Sequence, residues 1–84
     1  MTLDTIIATT RTFVFESYLY ARPDYPLGPE DSLVQHNVID SMGVIELVDF
    51  VCATFGVEVR NEDITEQNFG SLQSIACYVL SRRS

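Results

Sequence analysis

The 84-residue chain contains no lysine and no tryptophan, and its five basic residues, all arginine, face twelve acidic ones for a net charge of −7. Such a charge repels nucleic acid and anionic membrane surfaces, and it argues against helix-turn-helix DNA binding. No apolar run approaches the roughly 18 residues of a membrane span. The start "MTLDTII" has no basic segment before its apolar residues, so a secretory signal is not expected. We therefore expect a cytoplasmic protein that binds neither nucleic acid nor membrane.

The scarcity of cysteine and histidine argues against a metal centre. Cys52 and Cys77 stand alone in apolar helical patterns, which favours two small buried side chains over a disulfide or a zinc site. The stretch "DITEQNFGSLQS" lacks the order of an EF-hand loop, because Gly70 takes the eighth place rather than the sixth. A hydrolase built on Ser41 and His36 lacks a G-x-S-x-G elbow and room for an oxyanion pocket. We expect no bound metal and no enzymatic activity, and we interpret His36 as a polar loop residue.

An apolar pattern of helical period runs along most of the chain. Hydrophobic residues make up 46% of the sequence, which is typical of a globular rather than a disordered chain. Apolar residues at i, i+3, i+4 and i+7 predict three helices: Thr2 or Asp4 to about Tyr20, Ser41 to Phe55, and a last helix capped by Ser71 and ended by Arg82 and Arg83. Residues 61–64 allow at most a turn or two of helix.

The same spacing predicts which residues face the core. They are Leu3, Ile6, Ile7, Thr10, Phe13, Val14 and Tyr18 in the first helix, Val44, Leu47, Val48, Val51 and Phe55 in the second, and Leu72, Ile75, Ala76 and Val79 in the last. Residues 21–39 form a long connection with four apolar anchors, Leu27, Leu33, Val38 and Ile39. The predicted fold is all-α: a single domain, residues 1–84, forming a small antiparallel four-helix bundle of three long helices, one short helix and a long first loop.

An Asp-Ser-aliphatic triplet occurs twice, at residues 31–33 and 40–42. Ser32 precedes a turn-prone stretch that allows one helical turn, whereas Ser41 opens the second helix. Asp40 is a suitable N-cap for that helix, which leaves the Ser41 hydroxyl exposed at the first helical position. The free amides and the positive end of the helix dipole would stabilise an anionic group attached there, partly opposed by Asp40. A helix start that is only capped is the alternative at this point.

The run "NVIDSMGVIELVDFVCATFGVEV" resembles the prosthetic-group segment of acyl carrier proteins and related aminoacyl or peptidyl carriers. In that family the modified serine lies in a D-S-[LM] triplet followed by Glu-Leu, which corresponds here to Asp40, Ser41, Met42, Glu46 and Leu47. The resemblance covers nearly the whole chain, and it includes the leading helix, the proline-rich loop, "FGVEV", and "ITEQNFGSLQSIACYV" as the third and fourth helices. It implies a bundle of acyl-carrier type.

The resemblance also implies a function. Ser41, beside Asp40, would receive 4'-phosphopantetheine from coenzyme A through a separate, magnesium-dependent phosphopantetheinyl transferase, which makes the chain a phosphoprotein. The arm would carry an acyl or aminoacyl group as a thioester between enzymes of lipid or secondary metabolite biosynthesis. Basic surfaces of the transferase, of the loading enzyme and of downstream pathway enzymes would contact one face of the second helix, formed by Met42, Ile45, Glu46 and Asp49. We expect a monomer.

Departures from the family's pattern indicate which kind of carrier protein the chain resembles. Housekeeping carriers of fatty-acid synthesis typically continue the second helix with acids, where this chain has Cys52, Ala53 and Thr54. The resemblance thus favours a stand-alone carrier of a specialised pathway, with housekeeping fatty-acid synthesis as an alternative. The ninth position after the modified serine is often small in carriers that shelter a fatty chain. Phe50 at this position implies a short cargo left mostly outside the bundle. The alternative is that Phe50 faces outward, since it lies beside the row of inward residues, and contacts a partner. A carrier-like interaction module that is never modified is the other alternative.

Overall fold

In the computed structural model, residues 2–22, 24–36 and 38–83 are described, without the side chains of Ser41 and Arg83. Over these ranges every regular element is helical and no strand is present, which confirms the predicted all-helical fold. The elements are α1 (Leu3–Ser17), α2 (Ser41–Phe55), a 3-10 turn (Asn61–Asp63), α3 (Glu66–Phe69) and α4 (Leu72–Arg83). No helix in the same ranges is long and apolar enough to cross a membrane.

The first helix ends earlier than predicted. Its start is capped by Thr2, whose hydroxyl accepts a hydrogen bond from the backbone N–H of Thr5 at 3.2 Å. The predicted end near Tyr20 is wrong, because the backbone N–H of Leu19 bonds to the carbonyl of Val14, five residues back, at 3.2 Å. This bond unwinds the helix and lets the Leu19 side chain enter the core.

The long connection between α1 and α2 is held against the rest of the bundle. Its four predicted apolar anchors are all buried, which confirms the prediction: Leu27, Leu33, Val38 and Ile39. Two backbone hydrogen bonds attach it to the C-terminal part of the chain. The N–H of Leu33 donates to the carbonyl of Gly70 at 2.7 Å, and the N–H of Gln73 donates to the carbonyl of Pro29 at 2.8 Å. The connection therefore delivers the chain to the start of α2 along a defined path.

The bounds of α2 and most of its buried face are as predicted. Gly56 ends the helix in the left-handed conformation, with a φ of 67° that glycine adopts without steric cost. The buried residues of the helix are Leu47, Val48, Val51 and Phe55, and Val44 is partly buried. The side chains on the other side of α2 are consequently left for solvent or a partner.

The last helix packs mainly on α1 and α3. Ser71 caps its start by accepting a hydrogen bond from the N–H of Ser74 at 3.2 Å, and its predicted inward residues are all buried: Leu72, Ile75, Ala76 and Val79. One prediction on this helix is wrong. Cys77 is exposed rather than buried, because position 77 lies off the row of inward residues. Cys52 of α2 is only half-buried.

Among the described residues, one buried side-chain polar atom has no hydrogen-bond partner in the protein. Thr10 is fully buried in α1, and no described residue offers its hydroxyl a hydrogen bond. We expect Thr10→Val to raise the free energy of unfolding by about 1 to 3 kcal/mol, because valine keeps the shape and removes the unsatisfied hydroxyl. Urea unfolding measures this. Thr12→Val is the matched control, because the exposed Thr12 hydroxyl donates to the carbonyl of Ala8 at 3.0 Å. A gain from Thr12→Val alone would contradict the prediction.

Candidate functional site

The candidate site is the first turn of α2. Asp40 has the extended backbone of an N-cap, and its Oδ1 accepts a hydrogen bond from the N–H of Gly43 at 2.8 Å. The Asp40 carbonyl accepts the first helical bond, from the N–H of Val44, at 3.0 Å. Ser41 therefore occupies the first helical position, as predicted. The direction of its hydroxyl lies outside the described part of the residue, so the predicted exposure remains a prediction.

The two Asp-Ser triplets have opposite geometry. The carboxylate of Asp31 reaches back and accepts the N–H of Gly28 at 2.8 Å, whereas that of Asp40 reaches forward into α2. The hydroxyl of Ser32 accepts the N–H of Gln35 at 3.2 Å and donates to Oε1 of Glu66 at 3.2 Å. The first triplet thus closes a turn and ties it to α3, and its serine oxygen already has two partners.

The predicted contact residues of α2 lie on its exposed side. Met42 is 73% exposed and Ile45 is 50% exposed, and Glu46 and Asp49 are exposed as well. Exposed large apolar side chains are common singly, but two of them one turn apart at a helix start form a surface that a partner can cover. We refer to Met42, Ile45, Glu46 and Asp49 as the α2 face.

Two depressions flank this turn. A cleft of about 290 Å³ separates α2 from α3, and it is lined by Val34, Val44, Ile45, Ile64, Thr65, Glu66, Phe69 and Gly70. A wider depression of about 620 Å³ lies on the other side, lined by Tyr18, Val34, Val38, Ile39, Asp40, Met42 and Glu46. Only the first is mainly apolar, and neither has a basic residue in its lining.

Val34 borders both depressions and is 42% exposed. The sequence interpretation did not single it out as a surface residue. The sequence offers one indication of its exposure: Val34 follows the anchor Leu33 and precedes polar residues in a short turn. Val34 extends the apolar part of the α2 face across the loop.

The charged side chains of the site are acidic. Among the described residues, no basic side chain pairs with Asp40, Glu46 or Asp49. The single ion pair among all the described residues joins Arg60 to Glu62 at 3.5 Å. Burial of the ring, then the charges of Glu46 and Asp40, raise the pKa of Tyr18 above its ordinary value. The site therefore has a negative potential, which attracts cationic groups.

Phe50 lies on the α1 side of α2. Its ring stacks on that of Phe13, with 4.1 Å between centroids, and meets the edge of Phe55 at 6.4 Å. These rings are partly buried where α1 and α2 meet, so a cargo chain can pass between them only if they move.

No protein-family model matches the chain, and a search of curated proteins finds no match. The resemblance to acyl carrier proteins consequently rests on the sequence alone, chiefly on the motif around Ser41.

Proposed function

We propose that the chain is a carrier protein that holds an acyl or aminoacyl group as a thioester on a 4'-phosphopantetheine arm attached to Ser41. The observation that carries this proposal is the position of Ser41 as the first residue of a 15-residue helix, directly after the Asp40 cap. The exposed α2 face begins at the next residue. In this role the chain performs no catalysis of its own.

The surroundings of Ser41 fit the arm. Attachment would form a phosphodiester at the serine oxygen, and the phosphodiester's negative charge is favourable at the positive end of a long helix. Asp40 adds an opposing charge, but its Oδ1 is already engaged by the N–H of Gly43. The depressions on either side leave room for an extended chain, and the mainly apolar cleft toward α3 suits its less polar parts.

The α2 face supports a basic partner surface. Glu46 and Asp49 are exposed acids without a partner among the described residues, and they flank the apolar Met42 and Ile45. Acids of this kind accelerate encounter with a cationic surface, and the apolar pair adds buried area once contact is made. A phosphopantetheinyl transferase, a loading enzyme and downstream enzymes with basic surfaces would all use this face.

The cargo we propose is short. The rings of Phe13 and Phe50 stack on each other between α1 and α2, and the cleft toward α3 is small and open. A short acyl or aminoacyl group would remain mostly outside the core, and the loading enzyme would set its identity. The residues after Phe50, without a run of acids, favour a specialised pathway over housekeeping fatty-acid synthesis.

Incubation of the purified chain with coenzyme A, magnesium and a broad-range phosphopantetheinyl transferase tests the proposal. The intact mass is expected to rise by one phosphopantetheine group. If the mass does not change while a known carrier in the same tube is modified, the chain is instead an interaction module that is never loaded.

Charge reversal at Glu46 is expected to slow this modification. Glu46→Arg should lower the second-order rate about tenfold at low salt, because it replaces an attractive charge by a repulsive one at the contact. Ile45→Asp should slow it as well by removing an apolar contact. The circular dichroism spectra of both variants are expected to match the spectrum of the wild-type chain.

Glu58→Arg is the matched control. It makes the same change in net charge at an exposed position three residues past the last residue of α2, a helix whose two ends lie about 20 Å apart at 1.5 Å per residue. Equal slowing by Glu58→Arg and Glu46→Arg would show that net charge alone matters and would contradict recognition through the α2 face.

A further inference from the structure

Tyr18 joins α1 to the first turn of α2. It follows the last residue of α1, and its hydroxyl donates a hydrogen bond to the carbonyl of Gly43 at 3.3 Å. The N–H of the same glycine donates to Oδ1 of Asp40 at 2.8 Å. The two peptide groups that flank Gly43 are therefore held from outside the helix, one by its cap and one by a side chain of another element.

The Tyr18 ring also packs directly on the backbone of this turn. A Cβ added to Gly43 would lie 3.3 Å from Cε1 of Tyr18 and 3.1 Å from Cβ of Ile39, so a side chain at this position would displace these close neighbours by a few tenths of an ångström. On its other side the ring meets the edge of Phe13 at 6.1 Å, and Phe13 stacks on Phe50 of α2. The ring is thus fixed by contacts with both helices.

The hydroxyl of Tyr18 is a hydrogen-bond donor at neutral pH. Burial, reinforced by the carboxylates of Glu46 and Asp40, raises the pKa of Tyr18 above its ordinary value. Loss of the proton would place a negative charge against the Gly43 carbonyl oxygen, and the raised pKa keeps this state out of the physiological range.

We infer that Tyr18 is a positioning residue for Ser41: its contact with Gly43 keeps the first turn of α2 closed, so that the transferase meets Ser41 on a formed helix. This inference rests on the proposed function. The first N–H groups of a helix have no partner within it, and an end held only by its own cap opens readily. A contact from α1 opposes that opening at the residues next to Ser41.

The test compares two variants that each remove one tyrosine hydroxyl. Tyr18→Phe removes the bond to Gly43. Tyr78→Phe is the control, because the Tyr78 hydroxyl donates to Oδ2 of Asp63 at 2.9 Å and joins α4 to the 3-10 turn rather than to α2. Amide hydrogen exchange and the kinetics of phosphopantetheine transfer are measured on both.

With Tyr18→Phe, exchange at the amides of residues 43–45 is expected to accelerate about twofold to tenfold, the effect of one net hydrogen bond. The KM for the carrier should rise by up to the same factor with kcat retained, because only the closed turn is recognised. Tyr78→Phe should leave both KM and the exchange at residues 43–45 at the wild-type values.

Two results separate failure of this inference from failure of the proposed function. If the wild-type chain is modified and Tyr18→Phe has the same KM and the same exchange at residues 43–45 as Tyr78→Phe, Tyr18 does not position the turn. If the wild-type chain is never modified, the proposed function fails. The exchange measurement then still decides whether Tyr18 holds the turn closed.

Discussion

Ser41→Ala is expected to abolish the attachment of 4'-phosphopantetheine, whereas Ser32→Ala is expected to leave its rate near that of the wild-type chain. Attachment needs an oxygen nucleophile at the start of α2, and alanine removes it completely. Ser32 lies in the other Asp-Ser triplet, but its hydroxyl is bonded to the N–H of Gln35 and to Glu66. The intact mass after incubation with the transferase gives the result directly.

Folding has to be controlled in this comparison. Alanine at the first helical position costs little, because the cap of α2 is supplied by Asp40 rather than by Ser41. Ser32→Ala, by contrast, removes the side-chain bond that closes a turn and a bond to α3, so it is the variant expected to lose more stability. An adduct on Ser41→Ala, or the absence of an adduct on a folded Ser32→Ala, would show that the assignment of the modification to Ser41 is wrong.

Leu47→Ala is expected to lower the free energy of unfolding by about 2 to 5 kcal/mol, through lost apolar burial and the cavity left behind. The Leu47 side chain has an exposure of 0% on the inward face of α2. A loss of this size is a large part of the stability of a small domain. Urea unfolding followed by circular dichroism measures it.

Ile45→Ala provides the matched control in the same helix. Ile45 is 50% exposed and two residues before Leu47, so its truncation should change stability by about 0.5 kcal/mol or less. Its effect is expected on the rate of modification instead. Equal loss of stability from the two variants would mean that the inner and outer faces of α2 have been assigned incorrectly.

The helices and their buried faces could be predicted because the periodic pattern is local and long. α2 has its predicted bounds, since Asp40 and Gly56 mark its two ends within the sequence. The end of α1 could not be predicted in the same way. It is decided by the burial of Leu19, which depends on the rest of the core.

Contacts between residues far apart in the sequence could not be predicted either. Tyr18 was predicted on the inward face of α1, but its bond to Gly43 joins residues far apart in the chain. The partner of Ser32, Glu66, is also remote, and no local pattern points to it. The exposure of Cys77 is different, because the row formed by Leu72, Ile75, Ala76 and Val79 already leaves position 77 on another side of the helix.

The attachment of the loop to the C-terminal part of the chain sets an order for biosynthesis. The path into α2 depends on the bonds of Leu33 to Gly70 and of Pro29 to Gln73, and a nascent chain lacks these partners until α4 is being translated. The loop can therefore be held in this path only after residue 73 has been made, whereas the partners of the first turn of α2, Tyr18 and Asp40, precede it in the chain. A transferase that also contacts the loop would therefore act only after residue 73 has been translated.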